Sequence, residues 1–474
     1  MEELRVGLAL GIPWLAGTLW VRALLWREAP TGVWSLALGY GYFLGLLAAV
    51  LLLRVQVAVG WPLDFAGPTL LLALLGLVSG GWAWRRAGFR FPCWDPEGWR
   101  TTAPEWFKRS LFLLLLAWIS WRLLLLAQEI WLRPLYPWDA WTTWGVRARV
   151  WSELQQLVPF VDPERWLADA SGSVYTVHAW EYPNAVSLLA LWPTLAFGAW
   201  CEPVAHLPWL GAALALSLGF YGQARLWGTS PLAALVFVWL LLSLPILDTH
   251  IALAGYADLW LAAVFGLAVC ALLQWARTGD RWQGVLALLL ALACPWIKRE
   301  GLVWALVLIP AATVVWTPRR YWLWLAGGFL LALALWLAAG GVVFTVTGWG
   351  EVQLTPQVLQ LPLLGRFELH YHDIWEPVAR NLLILGNWHL FGYLLLAAFL
   401  IGLPRVLTEP WRLAGIVVTV AGLLMLFVLF FLTEAYLWAL QYTSINRVFL
   451  HFAPALLFWA LTVIVRQRPV VSST

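Results

Sequence analysis

The chain has 474 residues, 62% of them hydrophobic and only 11% charged, with a formal net charge of +4 and a mean hydropathy of +0.78. Soluble domains are about one-quarter charged, so this composition excludes a soluble enzyme and marks a polytopic membrane protein. No alternating segments of about ten residues recur, which excludes an outer-membrane barrel, and the small positive charge lies in short loops and gives no sign of nucleic-acid binding.

Crossing a bilayer takes about 20 apolar residues. Such runs lie near 6–26, 33–53, 66–84, 110–132, 203–224, 230–247, 252–275, 283–298, 300–316, 321–345, 388–403, 413–433 and 448–465. The predicted fold class is therefore an all-α polytopic membrane protein of about 13 transmembrane helices with outer-face juxtamembrane helices. Glu2 and Glu3 precede the first run, where a signal peptide carries positive charge, so that run reads as a retained helix. The 39 Trp cluster near run ends, as the membrane interface favours. Cys93, Cys201, Cys270 and Cys294 have no C-x-x-C spacing, so neither disulfides nor a structural zinc site are expected.

Loop 85–109 carries Arg85, Arg86, Arg90, Arg100, Lys108 and Arg109, which makes it cytoplasmic by the positive-inside rule. The next run then leads outward and places Asp139 outside. The apolar segment 184–199 is expected to lie flat at the outer surface. With that placement Arg225, Arg277, Arg281, Arg319, Arg320, Arg405, Arg412, Arg466 and Arg468 all fall inside. The amino terminus is then outside and the carboxyl terminus cytoplasmic. Two outer loops, 133–202 and 346–387, are too long for simple connections and are expected to be ordered and functional. Three parts follow: an additional amino-terminal unit of three helices with the basic loop (1–107), a core with the first outer loop (108–345), and the second outer loop with the last helices (346–474).

Polar residues gather at six places. In Tyr136-Pro137-Trp138-Asp139, Asp139 opens an amphipathic helix whose Trp141, Trp144, Ala148 and Trp151 form one stripe, expected to face lipid with Asp139 facing protein. Asp139 also suits a helix N-cap. His178, Glu181 and Tyr182 precede Pro183, a helix-opening residue, and are expected at the same outer cavity unless they simply lead into the helix. Asp248 and His250 stand at an outer turn, and Asp258 begins the next run after Tyr256. An ionisable group at that depth is a functional hypothesis by default, with helix capping the other use of Asp248. Lys298 and Arg299 form a cation pair suited to phosphate, or a snorkelling pair answered by Glu300. Tyr442, Asn446 and Arg447 open the last run, with His451 one turn further. Arg447 offers phosphate a planar fork or anchors the interface. His370, His372 and Asp373 have a metal-ligand composition, but no metal site is expected there.

The order of these motifs resembles the GT-C superfamily of integral-membrane glycosyltransferases, most nearly the protein O-mannosyltransferase and aminoarabinose-transferase branch (family 39/83-like). The residues that carry it are Asp139, His178 through Tyr182-Pro183, Gly255-Tyr256-Ala257-Asp258-Leu259, Lys298-Arg299-Glu300-Gly301 and Asn446-Arg447, across roughly 108–465. The resemblance implies Asp139 as catalytic carboxylate, Asp258 as the second site aspartate with Asp248 as its rival, and Arg447 on the lipid phosphate. It implies a polyprenyl-phosphate sugar donor, a lipid, glycan or protein acceptor, and a bacterial inner membrane with the site facing outward. The first loop carries a lone Asp139 where several members have an Asp-Glu pair, so Mg or Mn stays open. The chemistry expected is inverting transfer with Asp139 as general base and Arg447, Lys298 and Arg299 stabilising the leaving phosphate. A lipid-linked substrate transporter or flippase, or another lipid-linked saccharide ligase, is the alternative. Transporters place polar groups near the bilayer midplane, whereas here they fall on one side, Arg122 and Gln128 excepted.

Overall fold

The computed structural model describes residues 1–25, 30–87, 104–135, 137–348, 350–362 and 364–465. Tyr136, Cys93 and the basic residues Arg90, Arg100, Arg466 and Arg468 lie outside them. The helices in chain order are α1 (Glu2–Leu24), α2 (Pro30–Ala58), α3 (Ala66–Ala87), α4 (Glu105–Leu132), α5 (Gly145–Leu154), α6 (Pro163–Ala168), α7 (Ala185–Phe197), α8 (Glu202–Leu226), α9 (Pro231–Leu242), α10 (Pro245–Ala252), α11 (Asp258–Thr278), α12 (Arg281–Ile297), α13 (Gly301–Trp316), α14 (Trp322–Ala338), α15 (Trp375–Leu383), α16 (Phe391–Gly402), α17 (Pro410–Leu432), α18 (Tyr436–Leu440) and α19 (Ser444–Ile464).

Among the described residues nine helices are long and apolar enough to cross a membrane: α1 to α4, α8, α11, α14 with its lead-in from Arg319, α17 and α19. The pair α9–α10, bent by 68° at its break, makes a tenth if it is one span. Each of the thirteen predicted runs contains a helix, but α12, α13 and α16 are shorter apolar helices. Hydropathy reports that a helix is apolar, whereas spanning also demands length.

The bundle centre is α11, flanked by α8, α12, α17 and α19; nearly all of its residues are buried. In lipid, helices gain little from apolar burial against one another, so close packing must hold them. Small residues permit it: Gly17 on α1 meets the Gly41 and Gly45 backbone of α2, and Gly39 meets Gly219 of α8. The Tyr40 hydroxyl donates to the Leu267 carbonyl of α11 at 2.6 Å, so the amino-terminal helices are joined to the centre by polar contacts as well. Trp192, Trp209, Trp227, Trp260, Trp304 and Trp388 are fully buried. These tryptophans serve the core and not the interface that the composition suggested.

The first long loop holds α5 to α7. Helix α7 has 13 residues, nearly all buried, so its apolar faces are enclosed by protein on every side. The second long loop departs from the all-helical expectation. An antiparallel meander of β1 (Val342–Val346), β2 (Gly350–Leu354), β3 (Val358–Leu361) and β4 (Gly365–Glu368), in sequential order, begins inside the predicted run 321–345, whose helix ends at Ala338, and continues into that loop. Strands of four or five residues leave little periodicity to read.

Candidate functional site

Asp258 begins α11 with no exposed surface, yet carries an ionised-type set of partners. Its Oδ1 receives Lys298 Nζ at 2.9 Å and His451 Nε2 at 2.8 Å. Its Oδ2 receives Arg447 Nε at 3.1 Å and Nη2 at 2.8 Å. A carboxylate has about four acceptor positions, so Asp258 is saturated. Lys298 comes from the α12–α13 connection, whereas Arg447 and His451 come from successive turns of α19. The Trp304 indole, which can only donate, gives its hydrogen to His451 Nδ1 at 3.1 Å. That fixes the neutral ring with its proton on Nε2, pointing at Asp258.

Arg447 links this hub to the first loop. Its Nη2 lies 2.6 Å from Asp139 Oδ2, and its guanidinium stands 4.6 Å from the Tyr256 ring centroid. Asp139 makes no capping bond to its own helix; the carboxylate is spent on Arg447. A five-residue π-turn, Ala140–Trp144, follows it, a local feature that recurs at functional sites. Asp139 keeps 36% of its side-chain surface and Arg447 23%, against none for Asp258. Access therefore comes from the Asp139 side.

The turn before α11 makes this approach possible. Gly255 has φ +109, and a Cβ there would lie 2.7 Å from Ala140 Cβ. Gly255→Ala is expected to lose at least about 1–3 kcal/mol from backbone conformation alone. Thermal unfolding checks this against Gly279→Ala, whose glycine is also left-handed (φ +72) but meets nothing within 4 Å. The Gly279 variant should lose less.

A second layer carries the hub to the rim. Lys298 Nζ also lies 3.5 Å from Glu300 Oε1, and the Tyr182 hydroxyl donates to the same oxygen at 3.1 Å. Burial first, then Glu300, pushes the Tyr182 hydroxyl up, so it stays protonated and donating. Arg299 pairs with Glu181 at the rim. Beyond that pair a cavity of about 640 Å³ opens between the first loop, α12–α13 and the meander. It does not reach Asp139 or Asp258; its wall joins the hub through chain neighbours, Glu181 beside Tyr182 and Arg299 beside Lys298.

The stripe predicted to face lipid faces protein. Ala148 is fully buried, Trp144 and Trp151 nearly so, and only Trp141 of the four is exposed. Trp144 packs on Tyr182 and Trp151 on Phe160. Arg147, on the same side of the helix as Trp144 and Trp151, shows why. It is fully buried and bonds to the carbonyls of Tyr182 (2.8 Å) and Ala179 (2.5 Å) and to Asn184 Oδ1 (3.0 Å). Burial lowers its guanidinium to about 10, still charged at neutral pH. Arg147 is thus the pin that shapes loop 179–184 and sets Tyr182, and the sequence reading missed it. A cation inside an aromatic stripe was the available signal. Arg147→Met is expected to strand these acceptors, at about 1–3 kcal/mol for each buried group left unpaired, and to lower the unfolding temperature measured in detergent by several degrees.

Not every predicted site residue joins the cluster. Asp248 is occupied by Arg122, a bond of 2.7 Å from Nε to Oδ1, so it does not stand in for Asp258. His250 is buried with Nδ1 on the Ile246 carbonyl at 2.7 Å, its ring 5.5 Å from that of Tyr256. It neighbours the cluster without bonding Asp258. His178 is exposed. Tyr442, with φ +55, offers its carbonyl to Asn446 Nδ2 at 2.9 Å. Asn446 in turn bonds Asn381 and Trp388 and so ties α19 to the second loop. Among the described residues no group of three His, Cys, Asp or Glu side chains is placed to hold a metal; the His372 ring is stacked on Tyr436 at 3.8 Å. The donor set at the hub fits a divalent cation poorly, because Lys298 and Arg447 already occupy both oxygens of Asp258 and Arg447 occupies Asp139.

What has been assembled is one exposed carboxylate, one guanidinium held in a fixed plane by a buried carboxylate, and an ammonium behind it. It can accept a proton at Asp139 and oppose developing negative charge at Arg447. No protein-family model, no curated protein and no solved structure matches the chain.

Proposed function

We propose that this chain is an integral-membrane glycosyltransferase that moves a sugar from a polyprenyl-phosphate donor to an acceptor on the outer face of a cell membrane. The observation that carries the reading is Arg447 bridging Asp139 and Asp258. In this reading Asp258 is a positioning residue, sealed from substrate, and Asp139 is the base. The donor phosphate arrives on the open side of Arg447 and replaces Asp139 as its outer partner. The freed carboxylate takes the acceptor's hydroxyl proton as the oxygen attacks the anomeric carbon. The bond from that carbon to the phosphate oxygen breaks, and the electron pair leaves on a phosphate opposed by Arg447 and backed by Lys298. A single displacement inverts the anomeric centre.

The short helices α12, α13 and α16 complete thirteen crossings in this reading, with α7 enclosed at the outer side. The arginines at the far loops then obey the positive-inside rule, with the amino terminus outside and the carboxyl terminus cytoplasmic. The site residues fall together at one end of the helices, which favours surface chemistry over a transport path through the midplane. The reading is tested by giving the purified chain, reconstituted in vesicles, a labelled polyprenyl-phosphate sugar. Consumption of the donor supports it. Movement of intact donor between leaflets without consumption favours the flippase.

A further inference from the structure

The cavity of about 640 Å³ beside the hub is unused by the chemistry above. Its size lies within the 300–1,000 Å³ range of small-molecule sites. One wall is the meander, whose register gathers several polar side chains on one face beside Val343 and Val358. Gln353 stands opposite Gln360, and Gln360 opposite Arg366. Directly opposed residues share a face, and residues two apart along a strand do as well, which adds Glu351 to the same side. Glu351, Gln360 and Arg366 line the cavity, and Trp180, Glu181 and Arg299 face them from the first loop and the α12–α13 turn. Prolines and leucines fill the walls between these groups.

The charges decide what fits. Two carboxylates, Glu181 and Glu351, match two guanidiniums, Arg299 and Arg366, and Glu181 is already paired with Arg299. A balanced lining does not select phosphate, which would need surplus cation. Nor does a hydrocarbon tail answer the amide, carboxylate and guanidinium groups set among the prolines and leucines, whose desolvation would go uncompensated. A donor (Arg366), an acceptor (Glu351) and an amide that is both (Gln360), with the Trp180 side chain in the opposite wall, match a ligand with many hydroxyls on a ring that has apolar C–H faces. We infer that this cavity is a binding site for a neutral oligosaccharide, held by Gln360, Arg366 and Glu351 on the meander and by Trp180 opposite. It names the acceptor as a glycan and rests on the transferase reading for that role; the binding itself does not.

Saturation-transfer NMR on the chain in nanodiscs tests this, with a panel of neutral oligosaccharides (chito-, manno- and malto-series), inorganic phosphate and a tetrapeptide as probes. The expected result is transfer to at least one oligosaccharide series, with affinity lowered about tenfold, or about 1.4 kcal/mol, in Gln360→Ala and in Arg366→Ala. Both positions are on the sheet surface, so folding survives. A panel in which no oligosaccharide binds, binding unchanged in both meander variants, or occupation by phosphate or peptide instead overturns the assignment. Glycan binding without any sugar transfer by the wild type would sink the transferase reading and leave the site standing.

Discussion

Replacing Asp139 by Asn is expected to slow sugar transfer by about 10²- to 10⁴-fold, the usual worth of a positioned general base, without unfolding the protein. The side chain keeps its size, so the π-turn and its packing survive. It retains 36% of its surface and makes its ion pair with Arg447 at an exposed edge, where such pairs contribute at most about 1 kcal/mol. Donor binding should hold or tighten, because Arg447 loses a competitor for phosphate. Rate and affinity measured together separate this from a structural lesion, which would lower both. A variant that transfers at the wild-type rate removes Asp139 as the base.

Asp258→Ala is expected to have the largest effect on stability. Its carboxylate has no exposed surface and is the common partner of Lys298, Arg447 and His451. Removing one partner of a buried ion pair costs about 3–5 kcal/mol, and here Lys298 is left with Glu300 at 3.5 Å and Arg447 with the partly exposed Asp139. Low expression or a fall of many degrees in the unfolding temperature is expected. Asp258→Asn keeps the shape and should fold better, but with Arg447 turned from its plane and donor affinity reduced. With Asp258 neutral, Lys298 keeps only Glu300 at 3.5 Å, so adding Lys298→Met to Asp258→Asn should cost less than Lys298→Met in the wild type. A double-mutant cycle with no coupling between these two positions would contradict the hub.

The hub's members were individually legible in the sequence. A charge at the start of an apolar run is costly to keep there, so Asp258, Lys298 and Arg447 stand out against their surroundings. That they meet was not legible from spacing, since α11, the α12–α13 turn and α19 converge only through packing. Their assembly needs Gly255 close to Ala140 and Trp304 behind His451, contacts that no local pattern encodes. The lipid-facing assignment of the Trp144–Ala148–Trp151 stripe failed for a related reason. In a membrane protein an apolar face is equally at home against lipid and against protein, so amphipathicity alone cannot orient it. Arg147 breaks that symmetry, because a guanidinium lying between Trp144 and Trp151 and bonded to three acceptors belongs in protein. Asp248 shows the converse: an aspartate well placed by sequence was claimed by Arg122 on a neighbouring helix. Thirteen apolar runs were visible, and short helices such as α12, α13 and α16 carry the same hydropathy as spans. The meander beside the cavity left almost no trace because its strands are too short.

The most direct measurement is release of labelled sugar from a set of polyprenyl-phosphate donors by the purified chain in lipid, with wild type and Asp139→Asn side by side at equal folded amounts. Turnover of a donor by the wild type, lost in the variant while donor binding remains, is the predicted result. Turnover that persists in Asp139→Asn, or a folded wild type that turns over none of the donors, would contradict a transfer site built on Asp139, Arg447 and Asp258.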